Sequence, residues 1–272
     1  MRISKLYFLP NSPNSDHQRC TGVVLQDGTR LSSSSVVLTT GTFLRGVINV
    51  GLDHYPAGRI GESPSIGLAL TLEKAGFRMG RLKTGTPPRI KVDSIDFDVL
   101  EILRGDEEPI PFSFMNKDVW LRRSNHDTSQ RSNENESVSH CPPSQMLAHI
   151  VHTNASTERL VRDNIHLSRH VREEIVGPRY CPSIESKVQR FPGRQHQVIL
   201  EPEGFDSRVV YPQNLAVTLP EELQVQMIRT MKGLEKAEIS MCGYGVEYDF
   251  VDPRELKPSL ETKRIQVGAL NL

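Results

Sequence analysis

The chain has 272 residues, enough for one large domain or two ordinary ones, and it can bury a hydrophobic core without disulfide or metal staples. Lys+Arg and Asp+Glu both number 33, so net charge is neutral on nucleic acid and any basic surface must come from local clustering. Four widely spaced cysteines (Cys20, Cys141, Cys181, Cys242) with no C-x-x-C argue against structural zinc or a disulfide framework, and no apolar run approaches the ~20 residues that span a bilayer; the expectation is a soluble, intracellular protein with no membrane contact.

In chain order, TGVVLQDGTRLSSSSVVLTT reads as two strand-like runs around Asp27-Gly28, a hairpin pair, with the second run ending in a glycine loop at Gly41. ESPSIGLALTLEKAGF predicts a helix with Ser63 as N-cap, Pro64 at the first position, Ile66, Ala69, Leu70 and Leu72 on the apolar side and Gly76 as the stop. Residues 78–91, RMGRLKTGTPPRIK, hold five cations and no acid on what reads as a Gly/Pro loop, either a phosphate contact or a solvated basic surface. Residues 122–145 are almost wholly polar and aperiodic, the pattern of a mobile insertion. STERLVRDNIHLSRHVREEI predicts one or two short helices, and HQVILEPEG and SRVVYP predict strands. PEELQVQMIRTMKGLEKA opens on Pro220 and sets Leu223, Met227, Ile228, Met231 and Leu234 at helical spacing, a core stripe, and VEYDFVDP alternates as a strand closed by Pro253.

The run GPRYCPSIESKVQRFPGR, residues 177–194, sets a thiol among cations. Arg179, Lys187 and Arg190 would lower the Cys181 pKa if they fold around it, with Glu185 the only acid opposing them, and Pro178 and Pro182 restrict the backbone on either side. The competing reading is an inert buried cysteine in a loop that these residues merely shape. Spacing leaves both open.

LTTGTFLRGVINVGLDHYPAGRIGESPSIGLAL, GRLKTGTPPRI, PFSF, HTN, GPRYCPSIESKVQRFPGRQHQVILEPEG and CGYGVEYDFVDPR, in this order between about residues 22 and 263, together resemble the MnmG/GidA family, whose eukaryotic members are mitochondrial. The resemblance implies an α/β fold: a partial FAD-binding, doubly wound (Rossmann-like) domain over residues 1–95 and 201–272, interrupted by a mixed α+β insertion domain over 96–200. It implies tRNA modification at carbon 5 of the wobble uridine, carried out with a GTPase partner of the MnmE type, in the mitochondrion, with FAD and NAD(P)H as cofactors and a homodimer among its assemblies. Cys181 matches the family's candidate nucleophile. Gly41, Thr42 and Ser65 match the flavin side. Gly177, Pro178, Arg179, Tyr180, Pro182, Ser183, Ile184, Glu185, Ser186, Lys187, Val188, Gln189, Arg190 and Phe191 match the segment proposed for the nicotinamide dinucleotide.

Two departures stand out. The family's opening strand and G-x-G-x-x-G turn, which seats a pyrophosphate at a helix N-terminus, has no counterpart here, nor does a second family cysteine from that portion. After SLETKRIQ the chain ends VGALNL, where the family continues to a final flavin motif and a helical region that docks partner and tRNA. The expectation is therefore a chain truncated at both ends: either an enzyme portion, or a non-catalytic module that binds RNA or a partner through its basic runs. A flavin-dependent disulfide reductase is disfavoured by the missing redox cysteine pair.

Overall fold

The computed structural model describes residues 3–9, 18–107, 109–116, 146–172, 182–204, 206–266 and 269–270. The polar run 122–145 lies outside them.

β1 (Ile3–Leu9) pairs antiparallel with β2 (Gln18–Leu25), which turns into β3 (Arg30–Ser32) at Asp27-Gly28 as expected. The turn closes because Gly28 takes φ +89° without steric cost and the Asp27 carboxylate accepts from the Thr29 amide at 2.9 Å. β4 (Val37–Leu38), β5 (Val47–Val50) and β6 (Asp53–Pro56) follow.

α1 (Ile66–Lys74) starts two residues later than the sequence predicts, with Ser65 at the N-cap position, and Gly76 terminates it at φ +81°. Its phase also differs. Leu68, Ala69 and Leu72 are buried, whereas Ile66 and Leu70, expected inside, are 49% and 42% exposed. At about 100° per residue those two lie together on the opposite side of the helix from Leu68 and Leu72, which pack with Leu6, Leu38, Leu44 and Phe77 in one buried cluster.

The basic run 78–91 is not a loop. It forms β7 (Met79–Thr86) and β8 (Arg89–Lys91). Its glycines mark close approach rather than turning: a Cβ on Gly80 would sit 2.5 Å from the Phe250 ring, and one on Gly85 would touch Ala216. Four of its five cations have carboxylate partners, Arg78 with Asp252, Arg81 with Asp249, Arg89 with Glu203 and Lys91 with Glu238. That pairing offsets much of the positive charge the run would otherwise present.

β9 (Glu101–Leu103), β10 (Ala148–His152), α2 (Ala155–Asn164), α3 (Arg169–Arg172) and α4 (Ile184–Arg190) come next. α2 opens on a capping box in which Asn154 Oδ1 accepts from the Ser156 and Thr157 amides at 2.9 and 3.0 Å while Thr157 Oγ1 accepts from the Asn154 amide. Asn154→Ala is expected to lower stability by about 1 kcal/mol, read as a shift of the urea midpoint at unchanged slope.

β11 (Gln197–Pro202) and β12 (Val209–Gln213) are the two strands expected there, α5 (Glu221–Arg229) has Pro220 at its N-cap, and β13 (Ile239–Met241), β14 (Tyr244–Val251), β15 (Ile265–Gln266) and β16 (Ala269–Leu270) complete the described elements. Met227, Ile228, Met231 and Leu234 are all fully buried, the last two beyond the end of α5, and Leu223 packs against them partly exposed.

The architecture is α/β. A six-stranded antiparallel sheet in the order β13-β8-β12-β11-β10-β9 packs against α2, α4 and α5 around the largest core. A four-stranded antiparallel sheet, β6-β5-β14-β7, is held by eight registered pairs between β14 and β7. β1, β2, β3 and β15 form a third sheet against α1, where β2 and β15 run parallel, as do β4 and β16. No described helix is long and apolar enough to cross a membrane, and no metal-ligand cluster occurs among the described residues.

Candidate functional site

Gly41, Thr42 and Ser65 meet in one place. Gly41 takes φ +50°, Thr42 Oγ1 donates to the Gly58 carbonyl at 2.7 Å, and the Ser65 amide donates to the Phe43 carbonyl at 2.7 Å. Gly46 lets this loop close on its neighbours, since a Cβ there would fall 2.5 Å from the Ala57 carbonyl oxygen and 2.6 Å from that of Thr42. The result is a rigid loop ahead of α1, with open space beside Gly41.

The second place is built on α4. Gly177, Pro178, Arg179, Tyr180 and Cys181 lie outside the described residues. From 182 onward the segment is anchored: the Ile184 amide donates to the Ala216 carbonyl at 2.7 Å, and Ser183 caps the helix through the Ser186 amide. Ile184, Glu185 and Val188 turn inward and are buried; Pro182, Gln189, Arg190 and Phe191 are exposed, and Ser186 and Lys187 half-buried.

The outward side forms an open cavity of about 230 Å³ lined by Pro182, Ser186, Lys187, Arg190, Phe191, Arg194, Gln195, His196 and Gln197. None of these is a carboxylate. Lys187 Nζ donates to the Asn214 carbonyl at 2.6 Å, and the Arg194 guanidinium lies 5.7 Å over the Phe191 ring. His196 is tied by its amide to Thr153 Oγ1 at 2.8 Å, while its Nε2 is buried with no hydrogen-bond partner among the described residues. Burial first, then Lys187 and Arg194, hold its pKa below the usual histidine value. The ring is therefore neutral at pH 7. A cationic cavity with a neutral imidazole and a partly exposed aromatic face can hold an anionic, ring-bearing ligand through charge-assisted hydrogen bonds and stacking. Its volume is below the roughly 300–1,000 Å³ of sites that enclose a whole small molecule. One phosphate-bearing part of a nucleotide fits better than an entire dinucleotide.

Of the lining residues, Gln195, His196 and Gln197 carry no charge signal in the sequence. The clue was the turn: Gly193 at φ +74° reverses the chain just before the alternating strand β11, returning these residues to α4.

Comparison with known proteins gives this geometry a lineage. A family model described as Glucose inhibited division protein A matches residues 9–267. The 5-taurinomethyluridine-[tRNA] synthase subunit MTO1, mitochondrial, of Pongo abelii is 52% identical over 257 residues, 94% of this chain and 34% of the relative. The tRNA uridine 5-carboxymethylaminomethyl modification enzyme MnmG of Granulibacter bethesdensis is 49% identical over 251 residues, 91% of this chain and 36% of the relative. The crystal structure of Aquifex aeolicus GidA superposes with a TM-score of 0.79 at 35% identity, covering 99% of this chain and 39% of that one. The chain thus spans about a third of the length of these curated relatives. Because the family model, the relatives and the superposed fold all cover nearly its whole length, the chain belongs to the GidA (MnmG) family.

Proposed function

We propose that the chain is part of a flavin-dependent enzyme that modifies carbon 5 of the wobble uridine in tRNA. The observation that carries this reading is the cationic cavity formed by the 182–197 segment, with no carboxylate among its described lining residues and next in sequence to Cys181, in a chain half identical to relatives named for tRNA uridine modification. We extend to it the mitochondrial setting in the names of the MTO1 relatives and a GTPase partner of the MnmE type.

The cavity supplies cations for a phosphate of NAD(P)H, and the loop at Gly41, Thr42 and Ser65 faces the flavin side. The bound flavin would supply hydride chemistry. Cys181 is proposed as the nucleophile: its thiolate adds to uracil C6, the C5=C6 electron pair moves onto C5 and O4, C5 takes up a one-carbon electrophile, and loss of the C5 proton with cleavage of the S–C6 bond restores the ring.

The division of the chain belongs to the same proposal. The strands of the six-stranded sheet run from residue 89 to residue 241, which supports an insertion of that extent, wider than 96–200, inside a flavin-type domain.

The test is NADH and NADPH titration of the chain by fluorescence, with alkylation of Cys181 followed against pH. Saturable binding and a thiol pKa below ~8.5 are expected; absence of both would remove catalysis from this chain. In the second reading, a binding module without chemistry, tRNA binds through this cavity and weakens steeply with salt while the thiol titrates normally.

A further inference from the structure

The acid that the sequence sets against the Cys181 thiol is turned away from the cavity. Glu185 is fully buried. Its Oε1 accepts from the Thr218 amide at 2.7 Å and from Thr218 Oγ1 at 3.0 Å, while Oε2 is buried with no hydrogen-bond partner among the described residues. The Thr218 hydroxyl in turn lies 2.6 Å from the Ser168 hydroxyl, which accepts from the Val171 amide at 3.3 Å. Ser168 and Thr218 are also fully buried. The donors therefore run one way, Val171 to Ser168 to Thr218 to Glu185. The Thr218 carbonyl accepts from the Gly51 amide at 2.7 Å, and the Gly51 carbonyl from the Arg169 amide at 2.9 Å. Thr218 thus joins α4 to the stretch entering α3 and to the β5–β6 turn.

We propose that Glu185 is a neutral carboxylic acid acting as a positioning residue, which through Thr218 and Ser168 fixes the cavity-lining segment 182–191 against residues 168–171. An ionised carboxylate with one oxygen unpartnered in a sealed interior is far costlier than a neutral acid with one unpartnered O–H. Among the described residues, the neighbouring charges do not offset that cost. Glu158 on α2 pairs with Arg162, Arg159 is exposed, and Lys187 on the same helix donates to Asn214. Burial accordingly raises the Glu185 pKa, against smaller opposing contributions from its hydrogen bonds.

The positioning role rests on the function proposed above; the protonation state does not, and two measurements separate them. In the first, denaturant midpoints of the wild-type chain and Glu185→Gln are compared between about pH 5 and pH 8. A group with a raised folded-state pKa contributes stability that is full below its unfolded value and is lost as pH rises, so the wild type is expected to lose stability relative to the Gln variant across that window. A flat difference overturns the neutral acid. In the second, Thr218→Val and Ser168→Ala are examined by NADH titration and by the pH profile of iodoacetamide alkylation at Cys181, mapped by peptide analysis, with circular dichroism checking the fold. Roughly tenfold weaker NADH binding and a displaced thiol profile in either folded variant are expected. Unchanged affinity and profile in the variant that folds overturn the positioning role, and a wild type that binds no NADH leaves the thiol profile to decide it.

Discussion

Replacing Arg190 and Arg194 together by glutamate is expected to weaken NADH binding on the order of 100-fold or more while leaving the thermal midpoint nearly unchanged. Each arginine can offer a charge-assisted hydrogen bond to phosphate, and such bonds contribute about 1.5–3 kcal/mol apiece. Two of them, about 3 kcal/mol at the least, already correspond to roughly 100-fold in affinity, and reversal adds repulsion toward a phosphate in a cavity with no carboxylate among its described lining residues. Both residues are exposed, so the fold does not depend on them. Lys187→Ala should lose less, because its ammonium is already engaged by the Asn214 carbonyl. Binding by the reversed chain within about threefold of the wild type would place the ligand elsewhere. The same titration at rising ionic strength separates phosphate contacts from stacking on Phe191, since only the former are screened.

What could be read in the sequence divides along physical lines. The Asp27-Gly28 hairpin, the α5 stripe and β14 as a strand were legible because each is set by local geometry: a positive φ, a helical period, an extended run. The alternation of β14 did not predict its burial, since Glu247 and Asp249 are buried while Tyr248 and Phe250 are half-buried. The run 78–91 misled because glycine and proline signal turns only when nothing packs on them; here Phe250 and Ala216 occupy the space that side chains at Gly80 and Gly85 would fill. α1 was found but rotated, since a nine-residue helix with apolar groups on both sides leaves its phase to tertiary contact. The cavity was half legible. Lys187 and Arg190 announce themselves, but His196 arrives only through the Gly193 turn, and the role of Glu185 depends on Thr218, 33 residues away. A carboxylate among cations reads as a surface charge until its burial is known. Cys181 itself lies outside the described residues, so its chemistry stands on sequence and on the experiments above.

Asp249→Ala is expected to cost the fold about 2–3 kcal/mol, more than any single surface ion pair in the chain. Asp249 is only 8% exposed and stands directly opposite Arg81 in the β14–β7 ladder, with Arg81 Nη1 at 3.0 Å from Oδ1 and Arg45 Nε at 3.0 Å from Oδ2. Arg45 holds an unusual backbone, φ +41°, in the loop that leads from Gly41 to β5, and the Arg81 guanidinium also donates to the Arg45 carbonyl at 3.2 Å. Removing the carboxylate leaves two guanidinium groups facing each other across a half-buried sheet. Loss of one partner from a fully buried pair costs about 3–5 kcal/mol. The figure here is reduced because Arg45 keeps Glu73, Arg81 keeps Glu247 at 3.8 Å, and both arginines are about a third exposed. The loss should appear as a lower urea midpoint with unchanged slope, and Arg208→Ala, which breaks the exposed pair with Asp93, serves as the control with no measurable change. Because Arg45 belongs to the 41–46 loop, the Asp249 variant should also loosen the Gly41 and Thr42 region selectively, read as faster amide exchange there than in the six-stranded sheet. Equal stability of Asp249→Ala and the control would mean that the strained loop is held by backbone packing at Gly46 and Gly58 instead of by this carboxylate.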